Sequence, residues 1–90
     1  MTKLKVGIIG AGYIAGVHAG ILSQDARVEI VAVHDLVQDC SERLSRSTGA
    51  RICNDAQEVI ERSDAIYVTT PNTKHVALTL AAIDGDKHVF

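Results

Sequence analysis

Apolar residues along this chain fall into strand-sized blocks separated by stretches of helical period, and the two alternate from one end to the other. Leu4-Lys5-Val6-Gly7-Ile8-Ile9 is a short apolar run ending at Gly10, the pattern of a strand covered on both faces. From Tyr13 to Ser23 the larger residues Ile14, Val17, Ile21 and Leu22 recur at helical spacing, with small Ala15, Gly16, Ala19 and Gly20 between them. This predicts a helix with a close-packing face. Arg27 to His34 is rich in β-branched residues and reads as a second strand that stops at Asp35. Val37, Cys40 and Leu44 are spaced for the buried side of a second helix, which Gly49 terminates.

The alternation continues. Arg51-Ile52-Cys53 predicts a short third strand, and Asp55 followed by Glu58 is a capping-box-like pair opening a brief helix through Ala56, Val59 and Ile60. Ala65 to Thr69 reads as a fourth strand that Pro71, lacking an N–H donor, must end. Asn72 is expected to cap the next helix, whose Val76, Ala77, Leu80, Ala81 and Ile83 turn inward until Gly85; His88-Val89-Phe90 begins a fifth strand. Strands and helices in strict alternation imply a doubly wound parallel sheet, with helices on both faces and right-handed crossovers. We expect about five strands in the order 3-2-1-4-5. Residues 1–90 form one domain on this reading, expected to be incomplete at its C-terminal end because no sixth strand follows. The exposed edge of the fifth strand is expected to favour a homo-oligomer.

Composition narrows the class. With 47% hydrophobic residues the chain has material for a single core, and a net charge of -2 with interspersed signs offers no field for nucleic acid or an anionic membrane. The apolar runs are too short and interrupted to span a bilayer, and no signal peptide is evident, so a cytoplasmic location is expected. Cys40 and Cys53 form neither a C-x-x-C pair nor a cluster with histidine, and are read as reduced thiols with no metal site.

The chemistry concentrates where strands end. Gly10-Ala11-Gly12-Tyr13-Ile14-Ala15 fits G-x-G-x-x-G/A after a buried strand and at the opening of a helix, the context a dinucleotide fingerprint requires. Gly10 permits the tight turn, Gly12 admits a pyrophosphate close to the backbone, and Ala15 lets helix and strand pack closely. The free N–H groups of the helix start then face the phosphates. Asp35 stands about 20 residues on, at the end of the second strand, where a carboxylate accepts hydrogen bonds from ribose hydroxyls. It would repel a 2'-phosphate, so NAD is favoured over NADP. Thr69-Thr70-Pro71-Asn72 ends the fourth strand, beside the first at the topological switch point, and is expected to border the cofactor. His18 reads as a packing residue, His34 as a strand-end residue, and Lys74 and Lys87 as solvated charges.

Lys5-Val6-Gly7-Ile8-Ile9-Gly10-Ala11-Gly12 with its acidic second-strand end, Thr70-Pro71-Asn72-Thr73-Lys74-His75, and Gly85-Asp86-Lys87-His88-Val89 together resemble the Gfo/Idh/MocA oxidoreductases. The resemblance covers the whole chain. It implies a Rossmann-like fold in which Thr70, Pro71, Asn72 and His75 line the cofactor cleft near the pyrophosphate and nicotinamide ribose. It further implies that K-H-V leads into an E-K-P segment whose lysine acts at the substrate, followed by a C-terminal α/β substrate domain. Neither lies within these residues, so no catalytic residue is named. Asp86 interrupts the family's G-K-H-V and leaves the local turn open. The expected activity is hydride transfer between nicotinamide and a sugar- or polyol-type substrate, with these 90 residues alone binding NAD without turnover. Two alternatives stand beside it: a non-catalytic NAD-binding sensor or scaffold, and an S-adenosylmethionine-binding methyltransferase domain.

Overall fold

The computed structural model of the chain describes residues 3–10, 12–69, 72–85 and 87–89, and among these the side chains of Tyr13 and residues 72–77 are excepted. Nine elements alternate: β1 (Leu4–Ile9), α1 (Tyr13–Leu22), β2 (Val28–His34), α2 (Gln38–Thr48), β3 (Arg51–Ile52), α3 (Ala56–Arg62), β4 (Ala65–Val68), α4 (Asn72–Asp84) and β5 (His88–Val89). All strand pairings are parallel and the order is β3-β2-β1-β4-β5, the doubly wound arrangement expected from the alternation. Among the described residues no helix is long and apolar enough to cross a membrane.

The central strand explains the layering. Ile8 and Ile9 point to opposite faces of β1 and anchor separate cores. Ile8 packs with Ala15 and Ala19 of α1, Ile30 and Val33 of β2, and Leu44 of α2. Ile9 packs with Val59 and Ile60 of α3, Ile66 and Val68 of β4, and Ala82 of α4. Gly7 shares the second face and is the reason α3 lies so close. A Cβ at that position would stand 2.5 Å from Val59 Cγ1 and overlap Ser63 Oγ. Opposite it the β1–β2 register slips between Val6 and Gly7, so that Val31 is an extra residue in β2.

Helix ends follow local chemistry. Gly49 closes α2 with φ 78°, a left-handed conformation that costs glycine little. Asp55 accepts the Glu58 N–H at 2.8 Å, as the capping pair predicts, while Glu58 reaches one residue past the cap to the Asn54 N–H at 2.9 Å. Asn72 is the first residue of α4 rather than the cap before it.

The close-packing face expected of α1 is formed by Ala15 and Ala19, which are buried, and its larger residues Ile14, Val17 and Ile21 are exposed. Two other helix faces differ from expectation in part. In α2 Ser41 and Leu44 are buried and Val37 is exposed. In α4 Leu78, Ala81 and Ala82 pack inward, Leu80 and Ile83 are exposed, and the side chains of Val76 and Ala77 lie outside the described residues.

Candidate functional site

The carboxyl ends of β1 and β4 lie side by side at the point where the chain reverses direction across the sheet, with α1 on one face and α3 and α4 on the other. Gly10 leaves β1 with φ 94°, a backbone region that L side chains rarely adopt, and its N–H donates to the His34 carbonyl at 2.8 Å. Thus the turn after β1 is tied to the end of β2. It is tied to β4 as well. The Thr69 N–H donates to the Ile9 carbonyl at 2.9 Å, and the Thr69 hydroxyl reaches the Gly10 carbonyl at 2.5 Å.

Gly12 is the N-cap of α1, with extended backbone, no side-chain capping bond and no acidic residue in the first turn. Its conformation, φ -83° and ψ -159°, is open to any residue, and a Cβ there would meet nothing within 4 Å. Among the described residues no contact calls for glycine at that position. The open space lies over the first turn of α1, where backbone N–H groups lack helical partners and the helix dipole is positive. The exposed residue Ile14 belongs to that turn.

Asp35 follows β2 directly and is half-buried. Its Oδ1 accepts the Val37 N–H at 2.7 Å, which sets the carboxylate at the strand end, and its carbonyl lies 3.4 Å from the Ser41 hydroxyl. His34 takes a structural position beside it, its Nδ1–H donating to the Cys53 carbonyl at 3.1 Å. Leu36, 77% exposed, adjoins the carboxylate as an apolar surface. Sequence reasoning passed over Leu36, although an apolar residue in the gap between a strand and a helix is a legible signal. His18 packs against Tyr67 of β4, ring centroids 5.2 Å apart, the packing role expected of it.

The structure therefore gathers Gly10, Gly12, Asp35 and Thr69 at one end of the sheet, with the backbone of Tyr13 and Ile14 opening α1 beside them. Ala11, Thr70 and Pro71 lie outside the described residues, as do the side chains of Tyr13, Asn72 and His75.

Residues 4–90 match the GFO_IDH_MocA oxidoreductase family, an NAD-binding Rossmann fold. The chain belongs to this family. As a Gfo/Idh/MocA domain it is 38% identical over 86 residues to glucose-6-phosphate 3-dehydrogenase of Bacillus subtilis (strain 168), covering 96% of this chain and 25% of that protein. It is 38% identical over 90 residues to an inositol 2-dehydrogenase of Cereibacter sphaeroides, covering 97% and 27%. Among solved structures, GenD2 from gentamicin A biosynthesis in complex with NAD superposes with a TM-score of 0.93 at 27% identity, over 99% of this chain and 26% of that one. Two further solved neighbours are complexes with NADP or NADP+. This Gfo/Idh/MocA chain thus spans about a quarter of the length of the relatives it matches.

Proposed function

We propose that this chain is the cofactor-holding part of an NAD-dependent dehydrogenase that moves hydride between nicotinamide and a hydroxyl-bearing carbon of a sugar or polyol. Gly12 carries the reading. It is a glycine that neither backbone conformation nor any atom of the described residues requires, at a helix start whose N–H groups have no side-chain cap. A pyrophosphate approaching the backbone at that spot supplies the missing reason.

The other residues take roles around it. Gly10 makes the turn, Ala11, Tyr13 and Ile14 contribute backbone at the helix start, and Thr69, Thr70, Pro71, Asn72 and His75 border the cleft from β4 and α4. Asp35 receives the adenosine ribose hydroxyls, and its negative charge disfavours a 2'-phosphate, so NAD is preferred to NADP. Leu36 offers an apolar surface for the adenine ring. When bound, the cofactor supplies the hydride chemistry; the protein holds and orients it.

The names of the two 38%-identical relatives, a glucose-6-phosphate 3-dehydrogenase and an inositol 2-dehydrogenase, support a polyhydroxylated substrate. Substrate-binding and catalytic groups belong, on this reading, to the three quarters of such proteins that the chain does not match, so these 90 residues bind without turnover. The free thiols Cys40 and Cys53 suit a reducing compartment such as the cytoplasm. The β5 edge offers backbone groups for pairing with a second copy.

Calorimetric titration with NAD and NADP tests the proposal when the Gly12→Ser variant is run beside the parent. Serine is a favourable N-cap, so melting temperature should hold or rise. NAD binding should weaken at least about tenfold, because the side chain fills the space assigned to the pyrophosphate. Full NAD affinity in Gly12→Ser would sink the assignment, and tighter binding of NADP than NAD by the parent would sink the role given to Asp35.

A further inference from the structure

Strand β2 outruns its outer neighbour. β3 is only Arg51–Ile52, paired with Ala32 and Val33, and just past it the Cys53 N–H donates to the Val33 carbonyl at 2.8 Å. One step further along β2 a side chain joins the backbone in this pairing. The His34 imidazole lies 3.1 Å from the Cys53 carbonyl through Nδ1. A carbonyl oxygen can only accept, so Nδ1 carries the hydrogen and the ring is held as a donor.

Both ends of this bond are anchored. His34 is the register partner of Ile9, so its ring lies on the α3 face of the sheet, and its own carbonyl accepts the Gly10 N–H at 2.8 Å. Cys53 is 3% exposed and packs in the same core as Ile9. Beyond it Asn54 and Asp55 are bonded into the start of α3 through Glu58. His34 thus ties together the glycine turn, the end of β2 and the chain entering α3, and the residue that follows it is Asp35. The Asp35 carboxylate is held from the other side by the Val37 N–H at 2.7 Å. A carboxylate that is to meet ribose hydroxyls must be held within hydrogen-bonding tolerance, and bonds from its neighbours are what hold it there.

On the reading of Asp35 as the ribose acceptor, we propose that His34 is a positioning residue for dinucleotide binding. Its bond to the Cys53 carbonyl sets the end of β2, and with it the Asp35 carboxylate, so that NAD is bound and preferred to NADP. His34 itself touches neither ribose nor phosphate in this role. Without the bond the Asp35 charge is still present but its direction is no longer set. The ribose hydroxyls then lose an aligned acceptor, while the repulsion of a 2'-phosphate is relaxed.

Calorimetric titration with NAD and NADP tests this on His34→Leu and His34→Asn, each made in this chain and in an Asp35→Ala background. Leucine cannot donate, whereas the asparagine amide nitrogen stands where Nδ1 stands relative to Cβ. His34→Leu should weaken NAD binding at least about fivefold and leave NADP within about twofold, and His34→Asn should return both to near the parent values. In Asp35→Ala the leucine change should alter NAD affinity by less than about twofold, because the group it positions is gone. An unchanged NAD-to-NADP ratio in His34→Leu would overturn the proposal. So would an equal loss of NAD affinity with and without Asp35, which assigns His34 to general support of the sheet. If leucine prevents folding, His34→Gln gives the same comparison with asparagine, since its amide lies too far from Cβ to replace Nδ1. A parent chain that prefers NADP, or that binds neither dinucleotide, would instead overturn the role of Asp35 on which this one rests.

Discussion

The hydroxyl of Thr69 lies 2.5 Å from the carbonyl oxygen of Gly10, joining the end of β4 to the turn that leaves β1. The same oxygen is 3.2 Å from the Ile9 carbonyl, which also accepts the Thr69 N–H. The turn itself has positive φ at Gly10 and so depends on its surroundings to stay in place. Valine at position 69 keeps the shape and removes the donor. Thr69→Val should therefore cost about 1 kcal/mol of stability in urea unfolding and weaken NAD binding several-fold, with Thr69→Ser restoring both. Unchanged affinity in Thr69→Val would show that the tie is dispensable.

Gly7 permits a close approach that its neighbours in β1 do not. An added methyl would stand 2.5 Å from Val59 Cγ1 and would overlap Ser63 Oγ, whose hydroxyl is committed to the Val59 carbonyl at 2.7 Å. Gly7→Ala should accordingly cost about 1–3 kcal/mol as overpacking between β1 and α3. For a domain of this size that is a fall of several degrees in melting temperature per kcal/mol. Adding Ser63→Ala should recover part of the loss but not all, since Val59 remains. Equal stability of Gly7→Ala and the parent would mean that α3 can retreat freely.

These two sites were unequally legible in the sequence. Thr69 could be found because a strand-ending Thr-Thr-Pro-Asn beside the glycine turn is a local signal, and the alternation of strand and helix located it in the sheet. The role of Gly7 could not, since it depends on Ser63 and Val59, which come close only after the chain crosses the sheet. The exposed sides of α1 and α4 were hidden for a related reason. Periodicity shows that Ile14, Val17, Ile21, Leu80 and Ile83 share helix faces, but not which face turns inward. In α1 the buried side carries the small residues Ala15 and Ala19 rather than the large Ile14, Val17 and Ile21, because close approach to β1 outweighs side-chain area there. Asp35 and the glycine turn were readable because each sits at a strand end, where topology alone fixes position.

Acid should act on the loop before β2. Asp25 receives two hydrogen bonds from the Arg27 guanidinium, at 3.0 and 2.8 Å, and one from the Arg27 N–H at 2.9 Å. The side-chain bonds chiefly, then the backbone bond, hold its carboxyl down from 3.8 to about 2. A carboxyl lowered by folding contributes stability above its unfolded value, and that contribution is lost as pH falls through the folded one. The window is thus from about pH 4 down to about pH 2. The pair is solvent-facing, so the effect is small and screened by salt. Asp25→Asn should lower the neutral plateau slightly and flatten the acid limb in that window by the same amount, so that the two melting-temperature profiles converge at low pH. An identical acid limb in the variant would rule out the Asp25–Arg27 contribution.

Helix α4 contains the opposite kind of residue, a group the fold would be steadier without. Thr79 Oγ1 is buried and has no hydrogen-bond partner among the described residues. An unpaired hydroxyl taken out of water is a standing cost, and the threonine shape needs only a methyl in its place. Thr79→Val makes that exchange with almost no change in volume, and valine is no worse a helix former than threonine. Stability should rise by about 1 kcal/mol in urea unfolding with an unchanged denaturant slope, and NAD affinity should stay as it was. Thr79→Ala should do worse than valine, because it clears the hydroxyl but also removes the methyl and leaves a small cavity. A loss of stability in Thr79→Val would instead reveal that the hydroxyl finds a partner in solution.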